Sequence, residues 1–164
     1  MRAFVSLGSN KGDREGDLRR ALGLLNRMPQ TKVTKVSRIY ESAPWGFPAQ
    51  RDFLNLVAQL STRLRPQRLL AEFKAVEQRL GRRPSRRWGP REIDIDLILY
   101  GKHTISTPEL TVPHPHMMQR AFVLVPLGEI APSLALPDGK TAEEHAAERH
   151  DEVVPYAKIS ISGG

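Results

Sequence analysis

Two aspartates one residue apart, Asp94 and Asp96, follow closely on a stretch crowded with arginine: Arg82, Arg83, Arg86, Arg87 and Arg91 fall within ten residues. The segment Ile93-Asp94-Ile95-Asp96-Leu97 alternates as a strand does, which puts both carboxylates on one face about 7 Å apart. Ile93, Ile95, Leu97 and Leu99 are left to anchor the opposite face. Carboxylates at this spacing suit Mg²⁺, which takes one or two acids and completes its shell with water and substrate phosphates. Arginines leading into the acids supply the positive charge that phosphoryl transfer needs, a reaction catalysed mainly by positioning and charge stabilisation. The same residues also read as an amphipathic strand showing its acids to solvent beside a solvated arginine loop; the meeting of both charge types favours the chemical reading. No Gly-x-x-x-x-Gly-Lys-Ser/Thr segment occurs, so holding phosphates falls to metal, arginine and histidine.

Positioning these groups requires a sheet, and the chain contains the strands for one. Arg2–Leu7 reads as a first strand. Asp13 then caps a helix whose apolar positions Leu18, Ala21, Leu22, Leu24, Leu25 and Met28 recur at helical spacing until Pro29. Lys32–Tyr40 alternates imperfectly as a second strand, and the prolines and glycine of Ala43–Pro48 impose a loop. In Asp52–Thr62, a third strand, Leu54, Leu56, Ala58 and Leu60 share one face while Phe53, Asn55, Val57 and Gln59 share the other. A second helix runs from Pro66 to Leu80 and is ended by Gly81. Ile93–Tyr100 is the fourth strand, with a turn at Gly101-Lys102. The order β-α-β-β-α-β predicts an α+β fold with an antiparallel sheet, the ferredoxin-like split βαβ arrangement. The proline-punctuated remainder, Thr104–Gly164, should add loops, a helix near Thr141–Arg149 and a strand at Lys158–Ser162, with the last residues frayed.

Composition narrows the function classes. The 164 residues fit a single domain spanning 1–164. No apolar run approaches the roughly 20 residues that cross a bilayer, and the start Met1-Arg2-Ala3-Phe4-Val5 lacks a secretory h-region, which points to the cytoplasm and away from membranes. With no cysteine, disulfides and thiolate metal sites are excluded. A net charge of +7 and a pI near 10.1 draw anions. One rival is an RNA-binding module on a ferredoxin-like sheet, but the alternating exposed aromatics of that class are missing. Acids at 94 and 96 would also repel a phosphate backbone unless metal covered them, so no nucleic-acid partner is expected. A silent ligand-sensing domain is the other rival, and it would need no metal pair.

Trp88-Gly89-Pro90-Arg91-Glu92-Ile93-Asp94-Ile95-Asp96 resembles the signature of the hydroxymethyldihydropterin pyrophosphokinases of folate biosynthesis. Further blocks resemble that family in the same order: Leu7–Asp13, Tyr40–Gly46, Phe53-Leu54-Asn55, Val112–Pro115, and Arg120–Leu124 through Glu129–Pro132. The resemblance spans about Met1 to Gly139. It implies that a pterin hydroxymethyl oxygen attacks the β-phosphorus of ATP, taking diphosphate and releasing AMP. By the same resemblance, Asp94 and Asp96 hold two Mg²⁺ ions, Arg82 and Arg91 stabilise charge on the transferring group, and Trp88 belongs to their loop. His114 and Arg120 match residues that contact the nucleotide phosphates, and Thr111 lies near the adenine. Asn55 matches the amide that reads the pterin edge, Phe53 and Phe122 border the ring, and Ser42, Ala43, Pro44 and Trp45 form the pterin-side loop. A flat neutral heterocycle does want an aromatic slot with paired hydrogen bonds, which one planar amide offers. Without the resemblance, Phe53 and Phe122 read equally as core, Asn55 as a structural hydrogen-bonder, and His114 as a turn former between Pro113 and Pro115. Glu77 matches an acid frequent in the family but receives no role. Phe53 replaces a frequent tyrosine, and Pro84 stiffens a loop expected to close over substrate. The chain is expected to act as a monomer on ATP and the pterin.

Overall fold

The computed structural model describes residues 1–42, 52–81 and 93–159. In chain order the elements are β1 (Arg2–Ser9), α1 (Arg14–Asn26), β2 (Thr31–Val36), β3 (Ile39–Ser42), β4 (Phe53–Thr62), α2 (Pro66–Arg79) and β5 (Asp94–Tyr100). They continue with β6 (Ile105–Ser106), β7 (Thr111–Val112), α3 (Ala121–Ile130), α4 (Ala142–Arg149) and β8 (Val154–Ala157). The main sheet runs β5-β1-β4-β3-β8, with β2 pairing the far half of β4, and its pairings are antiparallel. Counting β2 and β3 as one interrupted strand, the central order is that of the expected split βαβ fold.

Local rules of the sequence explain why the helices begin and end as they do. The Asp13 carboxylate accepts from the Gly16 amide at 3.1 Å, the expected cap of α1. At the end of α2, Gly81 takes a φ of +85°, which a side-chain-bearing residue adopts only under strain. Both helices lie on one face of the sheet. There Leu18, Leu22, Leu25, Leu69, Phe73 and Val76 bury against Val5, Leu7, Leu54, Leu56 and Leu60. The opposite face is apolar only at one end, where Phe4, Val57, Ile98 and Leu99 carry α3 through Val123, Leu124 and Leu127. Helix α4 packs outside α3 so closely that a Cβ at Gly128 would stand 2.5 Å from that of Ala146. The polar end of this second face is where the candidate site lies.

Four expectations need correction. The strand foreseen over Lys32–Tyr40 breaks into β2 and β3, because Ser37 turns its hydroxyl to accept the Val57 amide (3.0 Å) in place of a backbone carbonyl. Leu99 does not join Ile93, Ile95 and Leu97: the register against β1 slips between Phe4 and Val5, and this bulge puts Ile98 and Leu99 together in the second cluster. A terminal strand is present at Val154–Ala157; of the expected strand Lys158–Ser162, Lys158 and Ile159 lie beyond its end, and 160–162 fall outside the described residues. Helix α3 and the β6–β7 hairpin occupy a region read as loops. Pro126 lies inside α3, a position that argues against a helix in sequence because the Phe122 carbonyl loses its i+4 donor.

Candidate active site

A row of directly paired residues crosses the polar end of the sheet. Tyr40 on β3 opposes Asn55 on β4, Asn55 opposes Gly8 on β1, and Gly8 opposes Asp94 on β5. Directly opposed side chains in antiparallel strands share a face, so the row brings Asn55 and Asp94 to the same surface with only a glycine between them. One step along, Val57, Ser6 and Asp96 form the parallel row. Gly8 has a specific reason to be glycine. A Cβ there would meet the Asn55 amide nitrogen at 2.6 Å and lie 3.7 Å from the Phe53 ring. The amide therefore leans across β1 toward the aspartates. Its oxygen accepts from the Ser42 hydroxyl at 3.2 Å, and Asn55 is 4% exposed.

Around the aspartates the charges are mixed. Arg120, the residue preceding α3, is buried. Burial disfavours its charge, while Asp96 and then Asp94 act in the opposite direction, which places both acids within its electrostatic reach. Its guanidinium carbon lies 5.5 Å from the centre of the Phe122 ring. The bulge in β5 explains how His114 is held: the His114 amide donates to the Ile98 carbonyl at 3.0 Å, at the residue where β5 leaves register with β1. His114 Nδ1 accepts from the His116 amide at 3.1 Å, so its proton sits on Nε2. Burial, then the neighbouring charges of Arg120 and His116, push its pKa down to about 4. It is a neutral donor at physiological pH.

Glu77, which the family resemblance leaves without a role, has a definite partner in the structure. It sits on the buried stripe of α2 with Leu69, Phe73 and Val76, and its carboxylate accepts the Ile95 amide at 2.8 Å. Ile95 lies between the two aspartates on β5, which among the described residues pairs with β1 alone in the main sheet, so this amide points off the sheet edge. A carboxylate at a buried helical position was the signal in the sequence; its partner was not foreseeable without the topology.

The structure thus brings Ser42, Phe53, Asn55, Asp94, Asp96, His114, Arg120 and Phe122 to one end of the fold. Thr111 stands apart from these contacts, exposed on the β6–β7 hairpin. Ala43, Pro44, Trp45, Arg82, Trp88 and Arg91 lie outside the described residues. Among the described residues no group of three or more His, Asp or Glu could hold a metal unaided. Two carboxylates on one face fit Mg²⁺ that relies on substrate phosphates for further ligands.

Residues 4–132 match the 7,8-dihydro-6-hydroxymethylpterin-pyrophosphokinase (HPPK) family. The chain belongs to this family. The 2-amino-4-hydroxy-6-hydroxymethyldihydropteridine pyrophosphokinase of Bacillus subtilis is 48% identical over 128 residues, covering 78% of this chain and 77% of that protein. The enzyme of the same name from Pseudomonas aeruginosa is 44% identical over 144 residues, covering 88% and 89%. Among solved structures, wild-type Plasmodium falciparum HPPK-DHPS with pteroate matches with a TM-score of 0.71 at 14% identity. That match covers 92% of this chain but only 43% of the longer one, and at this identity it speaks for the fold alone. The expected α+β, ferredoxin-like class agrees with the family and with the observed sheet.

Proposed function

We propose that this member of the HPPK family transfers diphosphate from ATP to the hydroxymethyl oxygen of 6-hydroxymethyl-7,8-dihydropterin, releasing AMP, a step of folate biosynthesis. The observation that carries the reading is the row Asn55–Gly8–Asp94. Strands stand about 4.8 Å apart, so the Asn55 and Asp94 backbones are separated by about 10 Å, the span of a bicyclic ring with a one-carbon arm. With the pterin edge on the Asn55 amide and its ring beside Phe53 and Phe122, the hydroxymethyl group points at the aspartates. Ser42 orients that amide.

Asp94 and Asp96 are the residues that would hold two Mg²⁺ ions, which when bound neutralise phosphate oxygens and align them for in-line displacement. Arg120 brings a fixed positive charge to the phosphates, held against rearrangement by its burial and by Phe122. His114 offers an uncharged Nε2–H donor, so it orients a phosphate oxygen without adding another cation. Arg82 and Arg91, with Trp88, Ala43, Pro44 and Trp45, take their charge-stabilising and pterin-loop roles from the family resemblance, and Thr111 its place near the adenine. Because the chemistry is displacement at phosphorus, positioning and electrostatics supply most of the rate.

A six-stranded sheet with helices on both faces supports reading 1–164 as one domain, and that domain is proposed to act as a monomer. No described helix is long and apolar enough to cross a membrane, and the soluble substrates fit a cytoplasmic enzyme. Calorimetric titration with a non-hydrolysable ATP analogue tests the metal-dependent reading. Binding should require Mg²⁺ and weaken at least about tenfold in Asp96→Ala. Affinity indifferent to Mg²⁺ would contradict it.

A further inference from the structure

Tyr40 begins the row that crosses the site, yet its hydroxyl points away from it. The ring is 3% exposed and forms a small buried cluster with Ala121, Val125 and Val153, against which Phe122 also packs. The hydroxyl donates to Glu129 Oε1 at 2.5 Å. Glu129 stands in the last turn of α3 and also receives the Arg38 amide on both carboxylate oxygens, at 3.2 and 3.1 Å. Arg38 closes the arrangement: its guanidinium donates to the Tyr40 hydroxyl at 3.3 Å and lies over the Tyr40 ring, 5.6 Å from its centre. Three side chains from β3, its approach and the end of α3 are therefore mutually bonded.

The helical spacing gives this tie its consequence. Ala121, Val125 and Glu129 are four residues apart and lie along one stripe of α3. One tyrosine engages that stripe from the first turn to the last. The first turn carries Phe122 and follows Arg120, while Tyr40 itself opposes Asn55 in the sheet. Whatever sets the height of α3 over β3 also sets the distance between the Phe122 ring and the Asn55 amide. Burial and the Glu129 contact push the Tyr40 pKa up to about 12, so the hydroxyl remains a donor throughout the working range.

We infer that Arg38, Tyr40 and Glu129 form a positioning triad that fixes α3 against β3 and thereby sets the width of the slot between Phe122 and Asn55. None of the three touches the reacting atoms. The inference rests on the pterin reading given above, and it predicts a selective effect. Loosening the triad should weaken the flat ligand, which needs both walls, and spare the nucleotide.

The test measures dissociation constants for 6-hydroxymethyl-7,8-dihydropterin, by its own fluorescence in the presence of Mg²⁺ and a non-hydrolysable ATP analogue, together with the affinity for the analogue and thermal stability. Tyr40→Phe removes only the hydroxyl, and Glu129→Ala removes the shared acceptor. Each should weaken pterin binding about tenfold, the loss of roughly one hydrogen bond's net contribution, with analogue affinity unchanged. Glu129→Gln keeps an oxygen for the Tyr40 hydroxyl and should restore most of the affinity. Wild-type pterin affinity in both Tyr40→Phe and Glu129→Ala would overturn the triad while leaving the pterin reading standing. Parallel loss of both ligands in step with lost stability would reduce it to a structural brace and overturn it as well. A wild-type chain that binds the nucleotide analogue but no pterin would overturn the pterin reading, and the triad with it.

Discussion

At the scale of single residues, the chemistry belongs to side chains that lie off the apolar core. Asp94 and Asp96 are half-buried on the polar face, whereas Ile93, Ile95 and Leu97 anchor β5 beneath them. Asp94→Ala or Asp96→Ala should therefore cut AMP formation by at least about a hundredfold and leave the thermal midpoint within a few degrees. Unfolding of either variant would contradict that placement. Gly8→Ala acts inside the row, between Asn55 and Asp94. Its methyl would displace the Asn55 amide, so the KM for pterin should rise about tenfold while that for ATP stays within about twofold; equal effects on both would argue against the Gly8–Asn55 packing. His114 should titrate near pH 4 in the free protein, well below the 6.5 of an unperturbed imidazole, as read by NMR. The folded pKa lies below the unfolded one, so folding releases a proton between these values. The stabilising contribution of neutral His114 is complete above pH 6.5 and is lost as pH falls through about 4. A His114 that titrates at or above 6.5 would exclude the neutral-donor role. The acids and Asn55 were legible in the sequence as alternating positions on strands. Gly8 was not, since its need to be glycine arises only when β4 is laid beside β1.

At the scale of elements, the strands and first two helices followed the periods written in the chain, and what escaped them were interruptions. Ser37 mimics a backbone acceptor and splits a strand that alternation presents as continuous. The β5 bulge at Ile98 changes which face Leu99 occupies and frees the Ile98 carbonyl to hold His114. Pro126 disguised α3, whose apolar content is high all round because it is packed between sheet and α4. None of these departs from the fold, and two of the three serve the site. Glu77 is the element-scale residue with the clearest consequence. Replacing it by leucine leaves the buried Ile95 amide without its acceptor and should cost about 1–3 kcal/mol of stability. Denaturant unfolding would show this, and Glu77→Gln, which still offers an oxygen, should lose much less. If both variants unfold alike, the bond to Ile95 contributes nothing specific.

At the scale of the molecule, two surfaces of one sheet divide the work. The face beneath α1 and α2 is largely apolar and stabilises the fold, while the face beneath α3 is apolar at one end and polar at the other. That division places neutral groups, Asn55 with Phe53, beside the charged Asp94 and Asp96, which suits a bisubstrate reaction between a heterocyclic alcohol and a polyphosphate. The net charge of +7 favours the approach of an anionic nucleotide. Order of elements, pairing of acids and the family's motifs were all available from the sequence; the separation of Asn55 from Asp94 by a single bare strand position required the register of β1.

The most direct measurement mixes the purified chain with ATP, Mg²⁺ and 6-hydroxymethyl-7,8-dihydropterin and follows AMP, with controls that omit the pterin or chelate the metal. AMP is expected only when all three are present, in equal amount to a pterin diphosphate product. ADP in place of AMP, or no AMP from a folded sample that binds both substrates, would contradict that expectation.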